Sequence, residues 1–378
     1  MTRRPPDDAL VADLKTRTTC DARAYVVRER VGEGGLARVH ACEPSSSTVV
    51  DDGSSAHRRF GAPLVMKRAR VDSARVASRV AAEIDALRRI ADVTTDARRR
   101  WMLPTFVDAF VARDDDDDDD DASPSSFVAC VVSRRHGDGA TLASLLDVAR
   151  AAAGTGAPLG LPELQARHLA SQLALALDAL HRVAAIVHGD VKPENALVDR
   201  AHRIQLCDFD LATSTSRPAV ADAEDDLAEE NDEDEYLYAF CGTAEYLAPE
   251  TIAGAPRSAA RDWWALAITM YELVHGKTPF ASSRGNDEVT MRRVRTARID
   301  WPDPPGVSDA CRGVISAMLR RQPSTSGGGE WDVSARLCGE RGLEDLKRAS
   351  FFRGVDWDRV GLDPPASTKG WVVLPQDG

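Results

Sequence analysis

The stretch "VHGDVKPENALV", residues 187–198, sets an aspartate, a lysine and an asparagine within six positions of one another. Asp190 can accept a proton from a hydroxyl group and orient that group for attack. Lys192 can neutralise an anionic group transferred beside it. The carbonyl oxygen of Asn195 is a hard ligand of the kind a magnesium ion takes. Thirteen residues on, "CDFDLA" supplies Asp208, a second oxygen ligand, followed by Phe209. Between them "NALV" and "IQLC" read as two short strands around a turn at 199–203. A loop that carries a base, a cation and two metal ligands in this order has the parts for transferring a phosphoryl group to a hydroxyl.

Upstream the sequence offers what would hold the phosphate donor. In "VGEGGLARV", residues 31–39, Gly32 and Gly34 let backbone N–H groups approach phosphate oxygens, and Val31 and Val39 flank the turn. Alone, this is as well read as an ordinary glycine-rich hairpin, and Ala37 stands where a third glycine of G-x-G-x-x-G would be. Lys67 falls on the next strand, "PLVMKRA", and Glu83 on a helix whose Val76, Val80, Ile84, Leu87 and Ile90 make one apolar stripe. Either charge by itself is ordinarily a solvated surface group. The order hairpin, lysine, glutamate, catalytic loop and Asp208 is what carries the argument.

The sequence as a whole permits this. At 378 residues it can bury a large core. Its net charge of −12 is misleading: residues 114–121 are eight consecutive aspartates, and 222–235 hold ten more acidic residues. Without those eighteen carboxylates the remainder carries +6. Such blocks of like charge are expected to be solvated, disordered and dispensable for chemistry. There is no apolar run long enough for a membrane span, and "MTRRPPDDALVADLK" lacks the apolar centre of a secretory signal. Seven scattered cysteines with no C-x-x-C pair argue against a zinc site or disulfide framework and fit a reducing, intracellular setting, cytoplasm or nucleus.

With Lys67, Glu83, Asp190, Lys192, Asn195 and Asp208 in order, the chain resembles a eukaryotic protein kinase catalytic domain from about residue 25 to 357. "DVKPEN" is similar to the serine/threonine form. "CGTAEYLAPE", "RDWWALAITMYEL" and "RLCGERGLEDLKRASFFRGVDW" resemble the AGC group, and "DFD" with a long insertion before "CGT" resembles the phototropin-like plant members. The resemblance implies an α+β, bilobal fold: a flexible arm at 1–20, a strand-rich lobe at 21–133 with one key helix and the acidic loop 114–121, a mainly helical lobe at 134–357 with an acidic activation-segment insert at 213–238, and a tail at 358–378. It implies ATP and Mg²⁺ as cofactors, with Val31, Gly32, Gly34, Val39, Val65, Lys67 and Leu197 binding the nucleotide and Asn195 and Asp208 holding the metal. Leu87, Phe106, His188 and Phe209 are expected to stack as a spine between the lobes, and Glu250 to pair with Arg336. Glu194, Glu272 and Thr243 are expected at the substrate, the two glutamates reading arginine near the acceptor of basic protein substrates, with a structural salt bridge as the alternative for each; no nucleic acid partner is implied.

Four departures bear on control. Gly189 stands where most of the group has an arginine, and Ala239, four residues before Thr243, stands where that arginine's phosphothreonine partner would be. Loss of both halves implies an activation segment whose order does not rest on a phosphate–arginine pair. Asp210 replaces a glycine, and the tail lacks an F-x-x-F docking motif. An active kinase and a pseudokinase scaffold that only binds nucleotide are the two readings; retention of all six polar groups favours the enzyme.

Overall fold

The computed structural model describes residues 8–18, 24–45, 63–93, 100–113, 127–153, 159–215, 244–255, 257–282, 286–302, 306–321, 333–363, 365 and 367–375. Two lobes are built as the hydrophobic periodicity predicts. In the first, β1 (Tyr25–Glu33), β2 (Ala37–Pro44), β3 (Leu64–Val71), β4 (Phe106–Arg113) and β5 (Phe127–Arg134) form an antiparallel sheet in the order β1-β2-β3-β5-β4. Helix α2 (Ala74–Val93) follows β3.

Alternation along β3 explains how the sheet serves two purposes. Leu64 and Met66 point into a small core with Tyr25, Cys42, Phe110 and Val132. Ala69 and Val71 lie on the opposite face, in the core that holds the α2 stripe of Val76, Val80, Ile84, Leu87 and Ile90. Lys67 and Val65 share that second face, because side chains two apart on a strand point the same way. The sheet therefore aims its lysine at α2 and the second lobe.

The second lobe comprises α3 (Leu142–Ala152), α4 (Glu163–Asp178), β6 (Ile186–Val187), β7 (Ala196–Val198), β8 (Ile204–Leu206), β9 (Thr213–Ser214), α5 (Pro249–Ile252), α6 (Ala260–His275), α7 (Asp287–Thr296), α8 (Asp309–Met318) and α9 (Leu343–Arg348). Its centre is α4 against α6, with Leu169, Leu173, Leu177, Trp264, Leu266 and Ile268 all inaccessible to solvent. A π-helical turn, Ala179–Ala184, continues α4 and ends at Ala185 in the left-handed region, φ 52°. The chain then re-enters as β6, directly before the catalytic loop.

The structure corrects two expectations drawn from the sequence. Residues 8–16, read as part of a flexible arm, form helix α1 (Asp8–Thr16). Nine residues are too few for a stable isolated helix, but Val11 and Leu14 are buried, and Arg17, just beyond it, bonds Asp85 on α2. Docking supplies what helix propensity does not. Thr213 and Ser214, taken as the start of the acidic insert, pair as β9 with Val187 and Ile186 of β6. The acidic stretches 114–121 and 222–235 and the loop at 324–330 lie outside the described residues, as do Ala239 and Thr243. No helix among the described residues is long and apolar enough to cross a membrane.

Candidate active site

The cleft between the lobes gathers the polar residues singled out above. Lys67 Nζ lies 2.8 Å from Glu83 Oε2 and 2.6 Å from Asp208 Oδ1. β3 and α2 bring the first two together, and Asp208 is turned toward them by a left-handed backbone, φ 65°. Burial alone would drive the proton off Lys67, but the carboxylates of Glu83, Asp208 and Asp210 outweigh it and hold the ammonium charged. Burial also pushes Glu83 up, against the pull of Lys67. For Asp208 the same push is overcome by Lys67, so its carboxyl sits below the usual range and stays ionised.

On the catalytic loop, Lys192 Nζ is 2.7 Å from Asp190 Oδ2. Asn195 Nδ2 donates to the Asp190 main-chain oxygen and to Oδ2, both at 2.9 Å. With its nitrogen so engaged, the amide of Asn195 has its oxygen to offer a cation. Asp190 Oδ1 is buried and has no hydrogen-bond partner among the described residues. A buried carboxylate oxygen left unpaired is costly unless a ligand completes it. Asp208 and Asn195 make a sparse oxygen site, which suits Mg²⁺: that ion is usually held by one or two protein ligands together with substrate phosphates.

The loop backbone is fixed by Asp262, whose side chain is almost wholly buried on α6. Its Oδ2 accepts from the His188 N–H at 2.8 Å and lies 2.8 Å from His181 Nε2, while Oδ1 accepts from the Gly189 N–H at 2.9 Å. Burial pushes the Asp262 carboxyl up, but these bonds and the histidines hold it below its ordinary value. His188 packs against Phe209 with the rings tilted 59° and their centroids 4.7 Å apart, beside a buried core that includes Leu87 with Phe106 packed at its edge. Cys207 donates its N–H and its thiol to the Asn195 carbonyl, at 2.9 and 3.3 Å.

The residues expected at the nucleotide lie on β1, β2, β3 and β7 and in the turn between the first two. Val39 pairs in register with both Gly32 on β1 and Lys67 on β3. Val31, Val39, Val65 and Leu197 are all half-buried. A side chain added at Gly34 would meet no atom nearer than 3.8 Å, so the glycine turn faces open space.

The described residues expected at the substrate lie in the second lobe. Glu250 and Arg336 form a buried bidentate pair, 2.7 and 2.6 Å, that anchors the segment after "CGTAEY". Glu194 is exposed. Glu272 is buried and already partnered: it accepts from the Tyr246 hydroxyl, and Arg150 Nη2 on α3 lies 3.1 Å away. Burial pushes Glu272 up, eased by Tyr246 and Arg150 but reinforced by Glu194, whose charge is close enough to matter. The two glutamates therefore converge.

Four residues matter here that the sequence reading did not single out. Asp262 lies within a quoted motif, and its role is visible only in its bonds. Arg150 is the internal partner of Glu272. Arg79 reaches Asp210, 3.3 Å between Nη1 and Oδ2; its signal was its place one turn before Glu83. Arg261 lines a small cavity with Gly189, Asp190 and Thr251.

Residues 142–326 match the family model for the protein kinase domain. That span holds Asp190, Lys192, Glu194, Asn195, Leu197, Asp208 and Glu272; Lys67 and Glu83 lie before it and are tied to it by geometry. The chain is 35% identical over 198 residues to ribosomal protein S6 kinase alpha-6 of Danio rerio, covering 52% of this chain and 23% of that protein. Over 218 residues it is 35% identical to phototropin-1A of Oryza sativa subsp. japonica, 54% of this chain and 22% of that one. Serine/threonine-protein kinase tricornered of Drosophila pseudoobscura pseudoobscura is 31% identical over 222 residues, 52% and 45% respectively. The chain thus spans less than a quarter of the first two relatives' lengths.

Proposed function

We propose that this chain, which carries a protein kinase domain of the AGC serine/threonine group, transfers the γ-phosphoryl group of ATP to serine or threonine of basic protein substrates. We infer further that it does so without phosphate on its activation segment. The observation that carries the reading is the buried Oδ1 of Asp190, beside Lys192 and without a partner among the described residues. That oxygen is free to accept the substrate hydroxyl's hydrogen bond, while Oδ2 is held by Asn195 and Lys192.

ATP with Mg²⁺ supplies the phosphoryl group and neutralises part of its charge when bound. The chain's own residues do the rest by position and charge. Asp190 orients the acceptor hydroxyl and takes its proton at Oδ1. Lys192 places a cation beside the site of transfer. Asn195 and Asp208 present oxygens to the metal. Glu83 holds Lys67 where phosphate oxygens lie, and Val39, Val65 and Leu197 form an apolar slot for the base. Glu194 and Glu272 favour arginine near the acceptor. The described cysteines are all free, in keeping with an intracellular, reducing compartment.

A scaffold that only binds nucleotide has no use for an unpaired oxygen on Asp190, so the enzyme reading is preferred. The test uses the full chain made in bacteria and treated with phosphatase, assayed with ATP, Mg²⁺ and a mixture of basic peptides. Activity is expected in the phosphate-free protein. Asp190→Asn and Lys67→Met are each expected to lower kcat by about 10²-fold or more with an unchanged unfolding midpoint. Undiminished turnover in either variant sinks the reading. Turnover that emerges only after an upstream kinase has acted removes its second half.

A further inference from the structure

The tripeptide 208–210 makes two ion pairs to two different elements. Asp208 pairs with Lys67 on β3, and Asp210 pairs with Arg79 on α2, both partners of the second pair being largely shielded from solvent, 20% and 16% exposed. Phe209 is fully buried between them. Arg79 lies one helical turn before Glu83, so both project from the same face of α2. A second arginine of that helix, Arg89, donates to Ser214 Oγ on β9 at 2.8 Å. The start of the activation segment is thus fastened to α2 at both ends of its described length, with Glu83 and its bond to Lys67 between the fastenings.

We propose that Arg79 and Asp210 are a positioning pair that holds α2 inward, so that Glu83 stays on Lys67 with no phosphate on the activation segment. The proposal rests on the phosphotransfer reading for its consequence, though not for its geometry. Three observations carry it. A glycine at 210 would offer Arg79 nothing to bond. Asp210 is outside the left-handed region, so no backbone requirement explains which residue stands there. The bond from Arg89 to Ser214 ties the same segment to the same helix at a second point, so the contact between Arg79 and Asp210 is one of two fastenings. Gly189 contributes no cation that could do the same work from the catalytic loop.

The test is a double-mutant cycle on the full-length, phosphatase-treated chain: Arg79→Ala, Asp210→Asn and both together. Steady-state kinetics with ATP and a basic peptide are paired with hydrogen exchange of the nucleotide-free protein across residues 74–93. Each single variant is expected to lose about tenfold in kcat with KM for ATP within about twofold, as when the population of a competent state falls. The double variant is expected to be no worse than the poorer single one, because both break one interaction. Exchange in α2 is expected to rise about fivefold or more in all three variants, with protection elsewhere unchanged. Losses that add in the double variant, or unchanged α2 exchange in Arg79→Ala, overturn the proposal. If the unaltered chain transfers no phosphate, the phosphotransfer reading fails, and the exchange comparison still decides whether the pair holds α2.

Discussion

The N–H of Gly189 donates to Asp262 Oδ1 at 2.9 Å, and in that position Gly189 has φ 86°. A Cβ added there would stand 2.8 Å from the carbonyl oxygen of Leu211. The residue that looked like a missing arginine is therefore also one that the loop backbone accommodates without strain. Gly189→Ala is expected to cost about 1–2 kcal/mol from the left-handed backbone alone, with the close contact adding to it. Chemical denaturation measures this. An unchanged midpoint would mean that the loop relaxes away from the geometry described. Gly189→Arg, with or without Ala239→Thr, is expected to bear the same cost, so reinstating an arginine does not by itself recreate a phosphorylation switch.

The pair Glu250–Arg336 gives a second expectation. Arg336 also donates to the Arg320 carbonyl at 3.1 Å and lies over the Trp264 ring at 4.7 Å. Truncating one member of a buried ion pair strands the other charge. Arg336→Ala is expected to destabilise the protein by about 3–5 kcal/mol. Arg336→Lys should recover part of that, since it restores the charge but not the bidentate geometry. Thermal or denaturant unfolding of both variants checks the order.

Selectivity follows from the contact between Arg150 and Glu272. An internal arginine already neutralises the carboxylate that a substrate's arginine would seek. Arg150→Ala is expected to raise the preference for arginine-bearing over alanine-substituted peptides by about 2- to 5-fold in kcat/KM, the worth of a partly exposed charged contact. A ratio that stays level or falls would show that Arg150 helps to shape the site rather than compete for it.

A pH dependence is expected from the tail. Trp371 packs against His168 and His202, ring centroids 5.4 and 5.0 Å away, and Gln165 makes two bonds to the Val372 backbone. Burial, reinforced by the nearby His202, pulls His168 down to about 4. The unfolded chain takes up this proton near pH 6.5, the folded chain only near 4. Stability from this group is therefore complete above about pH 6.5 and is lost as pH falls toward 4, by at most about 1.4 kcal/mol per unit. Unfolding midpoints measured between pH 7 and 4.5 should fall more steeply for the wild type than for His168→Phe. Parallel curves would contradict this.

How far the sequence could be read follows from the kind of contact involved. β3, α2 and the strand pair around 199–203 were legible because apolar periodicity is local. Lys67, Glu83 and Asp208 could be placed together because their order implied it. Helix α1 was missed because nine residues are too few to hold a helix alone and gain their stability from Val11 and Leu14 docking on distant elements. Arg79 and Arg150 were missed for a related reason: an arginine on a helix surface looks solvated until the tertiary neighbour, Asp210 or Glu272, is known. For Glu272 the sequence leaves a substrate contact and a structural salt bridge both open, and its bonds to Tyr246 and Arg150 show that it already has internal partners.

Cys207 stands immediately before Asp208 in the cleft, a place where an electrophilic inhibitor could be aimed. Its thiol donates to the Asn195 carbonyl, and burial, with the Asp208 charge, pushes it up to about 12. Nucleophilic attack needs the thiolate, which at neutral pH is then present at only on the order of one part in 10⁵. Alkylating reagents should spare this cysteine in the native protein. Covalent chemistry aimed at the cleft would have to look to the lysines instead.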